Sequence, residues 1–186
     1  LSRHVFYPLW DLKDRSTRLA ELSALDMQQW WPYDRLRELQ LNRLELLLKY
    51  AREHSPFYQQ VFSDLGLAQG DLSTWETFQR LPVTTKQDLR NQTDHFISDE
   101  FDKQTLVTAK TGGSTGVSLN LFFDEKCQQR RNAAQMWADK WAGWLPGEKK
   151  AAIWGNPPVA KGMKQRLRLK LMDRTIYLDT MNLNSQ

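Results

Sequence analysis

The chain has 186 residues, of which 40% are apolar and 26% charged, a composition that is typical of a folded domain and excludes collagen, low-complexity disorder and coiled-coil rods. Its formal charge of +4 is unevenly distributed, because Lys149–Arg174 carries eight basic residues and one acid while the rest of the chain has a charge of −3. No apolar run approaches the ~20 residues of a membrane span, and the single cysteine excludes an internal disulfide, so we predict a protein without a membrane span in a reducing, cytoplasmic compartment.

The first part of the chain, residues 1–103, is predicted to be helical. Apolar residues recur at steps of three and four along 32–55, which is the period of one helix face. The ring of Pro56 disfavours the helical conformation for the residue before it, so this long helix should end there. A shorter helix is predicted over 57–65, with Gly66 placed to cap it in the left-handed conformation.

Two capping-box patterns predict further helix starts in this first part. Ser73–Glu76 and Thr85–Asp88 each place a hydroxyl side chain three residues before an acid, so that both side chains can bond backbone amides that the helix leaves unpaired. A proline at position 82 separates the two patterns. The first part is therefore expected to be a series of helices joined by proline-containing corners, without a repeat period.

Strand-like patterns begin near residue 104. The predicted elements follow in this order: strands at 105–108 and 119–123, a helix that Asp124 caps and that ends near Ala142 before Gly143, a buried strand at 151–154, a helix at 161–172 and a strand at 176–178. The segment 161–172 also alternates like a strand, but we prefer the basic helix. The chain ends on a helix-start signal at Asn184-Ser185, so we expect that it is the front part of a larger domain truncated at 186.

The most informative stretch lies between the first two predicted strands and reads Thr111-Gly112-Gly113-Ser114-Thr115-Gly116. Three glycines allow positive φ angles and close backbone approach, so that successive amides can point at one anion. Three hydroxyls add uncharged donors. Each hydrogen bond to a charged oxygen contributes about 1.5–3 kcal/mol, so four or five can bind a polyphosphate firmly. A glycine-rich hairpin turn without a ligand is the alternative.

Two familiar phosphate loops are excluded by the residues that follow. Walker A requires a Lys-Ser/Thr pair directly after its last glycine, and Val117-Ser118 stand there instead. The dinucleotide fingerprint opens a helix, whereas a strand is predicted after this loop.

The loop, with Val117-Ser118 and the strand end Leu121–Asp124, resembles the phosphate loop of the adenylate-forming (acyl/aryl-CoA synthetase) superfamily. It is most similar to the phenylacetate–CoA ligase-like branch, which includes proteins of capsular polysaccharide biosynthesis. The resemblance runs from about residue 30 to 180. The flanking stretches that support it are, in chain order, Tyr50–Tyr58, Leu81–Lys86, Trp141–Glu148 and Ile153–Gly155.

This resemblance implies an α/β fold in which residues 1–103 form the helical lead-in of an incomplete adenylate-forming large domain and residues 104–186 its glycine-loop segment. It implies an ATP-dependent ligase that activates a carboxylic acid as acyl-AMP; an aryl acid is one candidate, and the identity of the acid is left open. Mg²⁺ would accompany the pyrophosphate, and coenzyme A would be the acceptor. The implied nucleotide-binding residues are Thr111, Ser114 and Thr115 through hydroxyl hydrogen bonds and Gly112, Gly113 and Gly116 through amides.

The sequence departs from the superfamily in two ways. Leu119 stands three positions after the last loop glycine, where many members carry a basic residue. The later motifs, which bind adenine and ribose and supply the catalytic lysine, have no counterpart before Gln186. The catalytic residues therefore stay unassigned, and we expect this fragment alone to be inactive.

Two other functions stay open. One is a non-catalytic binding or scaffold relative that keeps the loop. The other is a binder of anionic surfaces or nucleic acid through Lys149–Arg174. We disfavour it because basic stretches are usually solvated and no aromatic residue interleaves with Lys164, Arg166, Arg168 and Lys170. The three histidines are too scattered for a metal site, and His54 is interpreted as a helix-end residue. The expected partner is a small carboxylic acid, and a homodimer is left open.

Overall fold

The computed structural model describes residues 1–68, 74–111, 118–155, 160 and 162–181. The chain divides into two compact units. Unit 1 comprises Leu1–Met27 with Gln129–Gln186, and unit 2 comprises Gln28–Gln128. The boundary predicted at residue 103 divides a larger parent domain, which these units do not test, so that boundary stays a prediction.

Unit 2 begins with the long helix α3 (Tyr33–His54), which follows α1 (Tyr7–Lys13) and α2 (Arg18–Gln28) along the chain. The helix ends where predicted, because Ser55 adopts an extended conformation before Pro56. Pro56 then opens α4 (Pro56–Asp64), and Gly66 has the positive φ of a left-handed cap. Both predictions for this region are confirmed.

The core of unit 2 forms where α3 packs against α4. Leu48, Phe62 and Leu67 are buried together, and Leu44, Tyr58, Leu65 and Leu81 pack around them. The three short helices that follow are α5 (Trp75–Arg80), α6 (Lys86–Asn91) and α7 (Thr93–Phe96). Phe96 of α7 stacks on Phe57 of α4 with ring centroids 3.9 Å apart, which attaches α7 to α4.

The two predicted helix starts have different outcomes. The capping box at α6 is confirmed, since the Thr85 hydroxyl accepts from the Asp88 amide and the Asp88 carboxylate accepts from the Thr85 amide. The start at Ser73 is wrong by one residue. Thr74 is the cap of α5, because its hydroxyl oxygen accepts a hydrogen bond from the Thr77 amide at 3.2 Å. Ser73 itself lies outside the described residues.

Unit 2 also contains a hairpin of strands β1 (Val107–Lys110) and β2 (Asn120–Phe123), which pair antiparallel with Lys110 opposite Asn120. The second strand was predicted closely. The first begins at Val107 rather than at 105, because Asp102 caps a 3₁₀ turn over Lys103–Thr105 by accepting from the Gln104 amide.

Unit 1 is built around α8 (Glu125–Trp141), whose first residues belong to unit 2. The predicted cap is confirmed, because the Asp124 carboxylate accepts from the Cys127 amide at 2.6 Å. Gly143, just past the helix, has the expected positive φ. Five buried side chains form the core of unit 1, namely Tyr7, Leu22, Ala133, Met136 and Met172. Among the tryptophans, Trp10, Trp137 and Trp144 pack against this core, whereas Trp141 is exposed.

A parallel pair of strands, β3 (Lys150–Trp154) and β4 (Thr175–Asp179), completes unit 1. The helix α9 (Met163–Arg168) and a π-helical turn over Leu169–Asp173 connect them, which confirms the preferred helix in this segment. The prediction that β3 is buried is wrong, since Ile153 is 71% exposed. The pair has one covered face, and alternate residues along each strand point away from it.

The described residues thus form helices and two two-stranded sheets, which is compatible with the predicted α/β class. Across those same residues, no helix combines the length and the apolar character needed to cross a bilayer.

Replacing Thr85 by Ala should lower the free energy of unfolding by about 1 kcal/mol, because the amide of Asp88 loses its acceptor. The capping box lowers the pKa of Asp88, chiefly through its hydrogen bonds to Thr85. The cap therefore stabilises the fold above the ordinary carboxyl pKa, and its contribution is lost as pH falls through the lowered value. Urea unfolding at several pH values measures both effects. Thr85→Ser keeps the hydroxyl and should match the parent, and an equal loss in both variants would contradict the cap.

Replacing Gly147 by Ala should destabilise the protein more than replacing Gly143. Both glycines have φ of +88°, so each alanine carries a backbone penalty of about 1–2 kcal/mol. A Cβ at 147 would also lie 2.8 Å from the backbone nitrogen of Arg3, whereas nothing lies within 4 Å at 143. The additional cost should be about 1–3 kcal/mol in urea unfolding. Equal costs at the two positions would show that Arg3 does not approach Gly147.

Candidate functional site

The predicted phosphate loop lies at the end of the β1–β2 hairpin. Beyond the last strand pair, the amide of Thr111 donates to the carbonyl of Leu119 at 3.0 Å. The amide of Leu119 donates in return to the Thr111 hydroxyl oxygen at 2.9 Å. These two bonds join the ends of the loop, so the glycine-rich segment starts and finishes at adjacent points on a paired framework.

Thr111 is the one predicted nucleotide-binding residue that falls within the described ranges. Its hydroxyl oxygen accepts the Leu119 amide, a bond that uses the oxygen as acceptor and leaves its proton to donate. The structure therefore gives Thr111 a loop-closing role that the sequence did not suggest. The other predicted residues, namely Gly112, Gly113, Ser114, Thr115 and Gly116, lie outside the described residues, and their phosphate role stays a prediction.

Leu119 occupies the position where many members of the resembled superfamily carry a cation. Its side chain is 7% exposed and therefore buried. A buried apolar side chain gives a phosphate no electrostatic contact. Position 119 therefore supplies no positive charge to a phosphate at this loop.

A lysine supports the second strand of the hairpin. The Nζ of Lys103 lies 5.1 Å from the ring centroid of Phe122 and 2.5 Å from a carboxylate oxygen of Asp94. Both partners of this ion pair are largely exposed, so the pair itself stabilises little. Its geometric effect is to connect β2 to helix α7.

A cluster of polar side chains that the sequence did not predict surrounds the C-terminal end of α3. The hydroxyls of Tyr50 and Ser98 lie 2.7 Å apart, and the Nδ1 of His54 lies 2.9 Å from a carboxylate oxygen of Asp99. The rings of Tyr50 and His54 are 4.7 Å apart. The partners are separated by more than forty residues in sequence, so local patterns give no signal for these contacts.

Acidic groups set the titration of this cluster. The hydrogen bond to Asp99 raises the pKa of His54, and the carboxylates of Glu100, Asp99 and Glu53 add to the rise. Burial raises the pKa of Tyr50, and Asp124 is among the charges that raise it further. Asp124, which directly follows β2, is therefore one of the charges that act on Tyr50.

Unit 1 contains an open polar cleft of about 210 Å³. Its cations each have an acidic partner: Arg18 bonds Asp11 in a buried pair, Lys150 bonds Asp139 at 2.8 Å, and Arg168 lies 3.8 Å from Asp173. Burial raises the pKa of Tyr7, which also lines the cleft, to about 12. With its charges mutually neutralised, the cleft is a network of structural ion pairs. The described ranges contain no group of three metal-ligating side chains.

Comparison with known proteins finds relatives that carry two names, Protein CapK and phenylacetate-coenzyme A ligase. The chain is 29% identical to Protein CapK of Staphylococcus aureus over 132 residues, which are 71% of this chain and 29% of that protein. It is 31% identical to phenylacetate-coenzyme A ligase of Pseudomonas putida over 97 residues, 52% of this chain and 22% of the ligase. The phenylacetate-coenzyme A ligase of Escherichia coli (strain K12) is 35% identical over 97 residues, which are 50% of this chain and 22% of the ligase.

The chain is a partial relative of the phenylacetate-CoA ligases. It spans less than a third of the length of the curated relatives it matches. No protein-family model matches it. The resemblance predicted from the sequence is thereby confirmed, because the chain is similar to part of a phenylacetate-CoA ligase-like protein.

Replacing His54 by Gln should remove a pH-dependent part of the stability of unit 2. Because the pKa of His54 is raised in the fold, its contribution is fully present below the ordinary histidine pKa and is lost as pH rises through the raised value. Thermal melting between about pH 5 and pH 8 should therefore show a smaller decline for the variant than for the parent. His95→Gln removes an exposed histidine of the same unit and serves as the control. An unchanged profile for His54→Gln would contradict the ion pair with Asp99.

Proposed function

We propose that this chain is the N-terminal portion of an ATP-dependent ligase that activates a carboxylic acid as acyl-AMP and passes the acyl group to coenzyme A. The observation that supports the proposal is the closed hairpin, whose ends meet at Thr111 and Leu119 and bracket a segment rich in glycine and hydroxyl residues. The chain's similarity to ligases named for coenzyme A supports the acceptor.

The proposed reaction begins with attack of a carboxylate oxygen on the α-phosphorus of ATP, which forms the acyl-AMP and releases pyrophosphate. Negative charge accumulates on the departing β- and γ-phosphates. Donors that are already oriented stabilise such charge more than mobile water does. In this chain the donors would be the amides of Gly112, Gly113 and Gly116 and the hydroxyls of Thr111, Ser114 and Thr115.

The hairpin bears on how a glycine-rich segment can bind a polyphosphate. Ordering a loop of glycines costs conformational entropy, and that cost opposes binding. The pairing of β1 with β2 and the bond between Leu119 and Thr111 hold the two ends of the segment beside each other, so a ligand does not bear the cost of bringing those ends together. Mg²⁺, when bound with ATP, would neutralise part of the phosphate charge. We assign no residue of this chain to the ion.

A non-catalytic relative that keeps the loop is the second candidate function. The buried side chain at Leu119 favours it, because the cation found there in many members of the superfamily is missing. Such a protein would still bind nucleotide through the loop but would not form acyl-AMP. The two candidates therefore differ in chemistry and share one binding site.

In a longer chain that contains these residues, we expect acid-dependent exchange of pyrophosphate into ATP. Replacing Ser114 and Thr115 together by Ala should lower the exchange rate by about a hundredfold or more, because two hydrogen bonds to charged oxygens are lost. Thr108→Ala with Ser63→Ala removes two exposed hydroxyls of unit 2 that lie outside the loop and is the matched control. A panel of aryl and short-chain acids identifies the substrate.

The outcomes separate the candidates. Exchange at the parent rate in the Ser114/Thr115 double variant would overturn the loop assignment. Titration calorimetry with ATP distinguishes the two functions, since nucleotide binding that depends on Ser114 and Thr115 without any exchange would identify the non-catalytic relative. Urea unfolding of the double variant should match the parent, because both residues lie in a segment between paired strands.

A further inference from the structure

Helix α9 and the π-helical turn after it present cations and apolar side chains together to solvent. Residues 162–167 are all exposed, with Met163 at 87% and Leu167 at 47%. Residues four apart lie on one helix face, so Met163 and Leu167 form a short apolar stripe. Lys164, Arg166 and Lys170 flank it. An apolar stripe bordered by cations is the pattern of a helix that lies in a membrane interface.

Helix α1 extends this surface. The Nζ atoms of Lys13 and Lys164 lie 5.4 Å and 6.0 Å from the ring centroid of Trp10, and Lys164 lies 3.4 Å from a carboxylate oxygen of Asp14. These contacts place α1 beside α9. On α1, Leu9 is 59% exposed and Leu12 is 78% exposed, so this helix also presents large apolar side chains to solvent.

The charge of unit 1 points to an anionic partner. Unit 1 contains 15 basic and eight acidic residues, a formal charge of +7, whereas unit 2 has a charge of −3. Within the described part of the chain, Arg166 and Lys170 form no ion pair with an acid. A net positive unit with unneutralised cations attracts anionic surfaces over about a Debye length, roughly 10 Å at 0.1 M salt.

We propose that this basic–apolar surface, formed by Leu9, Leu12, Lys13, Met163, Lys164, Arg166, Leu167 and Lys170, binds the interface of an anionic lipid membrane. The cations contact lipid headgroups, and the four apolar side chains enter the boundary with the acyl chains. Neither contribution alone gives firm attachment, and their combination does. The proposed attachment is to the membrane surface.

A lipid surface fits these residues better than nucleic acid or a second copy of the chain. Nucleic acid offers no apolar phase for exposed Leu and Met side chains, and single strands are bound by stacking on aromatic rings. The aromatic residue here, Trp10, is packed against the core of unit 1. A second copy would bring two units of charge +7 together, which opposes association.

Co-sedimentation of the whole chain with lipid vesicles tests the proposal. We expect binding to phosphatidylcholine vesicles that contain about 30% phosphatidylserine, little binding to pure phosphatidylcholine, and weaker binding as salt rises. Arg166→Gln with Lys170→Gln should lower the partition coefficient about 25-fold, since each cation near such a surface contributes about fivefold. Met163→Ser with Leu167→Ser should lower it at least about tenfold.

Two control variants accompany the test. Arg43→Gln with Lys126→Gln removes two exposed cations from unit 2 and should leave binding unchanged. Arg166→Lys with Lys170→Arg keeps the charge and should bind like the parent, which separates a charge effect from a folding defect. Thermal melting of each variant checks its fold.

Several results would overturn the proposal. They are an absence of binding to anionic vesicles, equal binding to neutral and anionic vesicles, and unchanged binding by either the charge variant or the apolar variant. A single-stranded RNA that binds more tightly than the vesicles, with no effect of Met163→Ser and Leu167→Ser, would show a nucleic-acid surface instead.

Discussion

Two hydrogen bonds between Thr111 and Leu119 determine what the glycine-rich segment can do. They join the two ends of the glycine-rich segment at the end of the β1–β2 hairpin. Bringing the ends of a loop together has an entropic cost, which the paired strands offset here in place of a ligand. Without these bonds, the two ends of the segment would not be held side by side, and the proposed binding of a triphosphate would lose its structural support.

The two compact units differ in charge and in the kind of chemistry they offer. Unit 2 has a formal charge of −3 and contains the hairpin, together with the Tyr50–His54 cluster at the end of α3. Unit 1 has a charge of +7, a cleft whose cations are matched by acids, and a basic–apolar surface on α1 and α9. We thus propose two kinds of binding for different parts of one chain. Unit 2 would recognise phosphate through neutral donors, and unit 1 would be attracted to anionic surfaces through its cations.

The similarity to phenylacetate-CoA ligases and to CapK says more about the function than the fold of the described residues says. The fold within the described residues is a set of helices and two small sheets, which many unrelated proteins share. The relatives include proteins named phenylacetate-coenzyme A ligase, although the chain spans less than a third of their length. Catalysis is therefore proposed for a longer protein, and nucleotide binding is proposed for the loop.

The sequence by itself determined the features that depend on a few neighbouring residues. The end of α3 before Pro56, the caps at Asp124 and Thr85, and the left-handed Gly66 follow from local backbone sterics and local hydrogen bonds. The tertiary structure alone decided the closure of the loop by Thr111, the pairing of His54 with Asp99, and the exposure of Ile153. These features depend on which distant segments meet and which sheet face is covered, and local patterns contain no information about either.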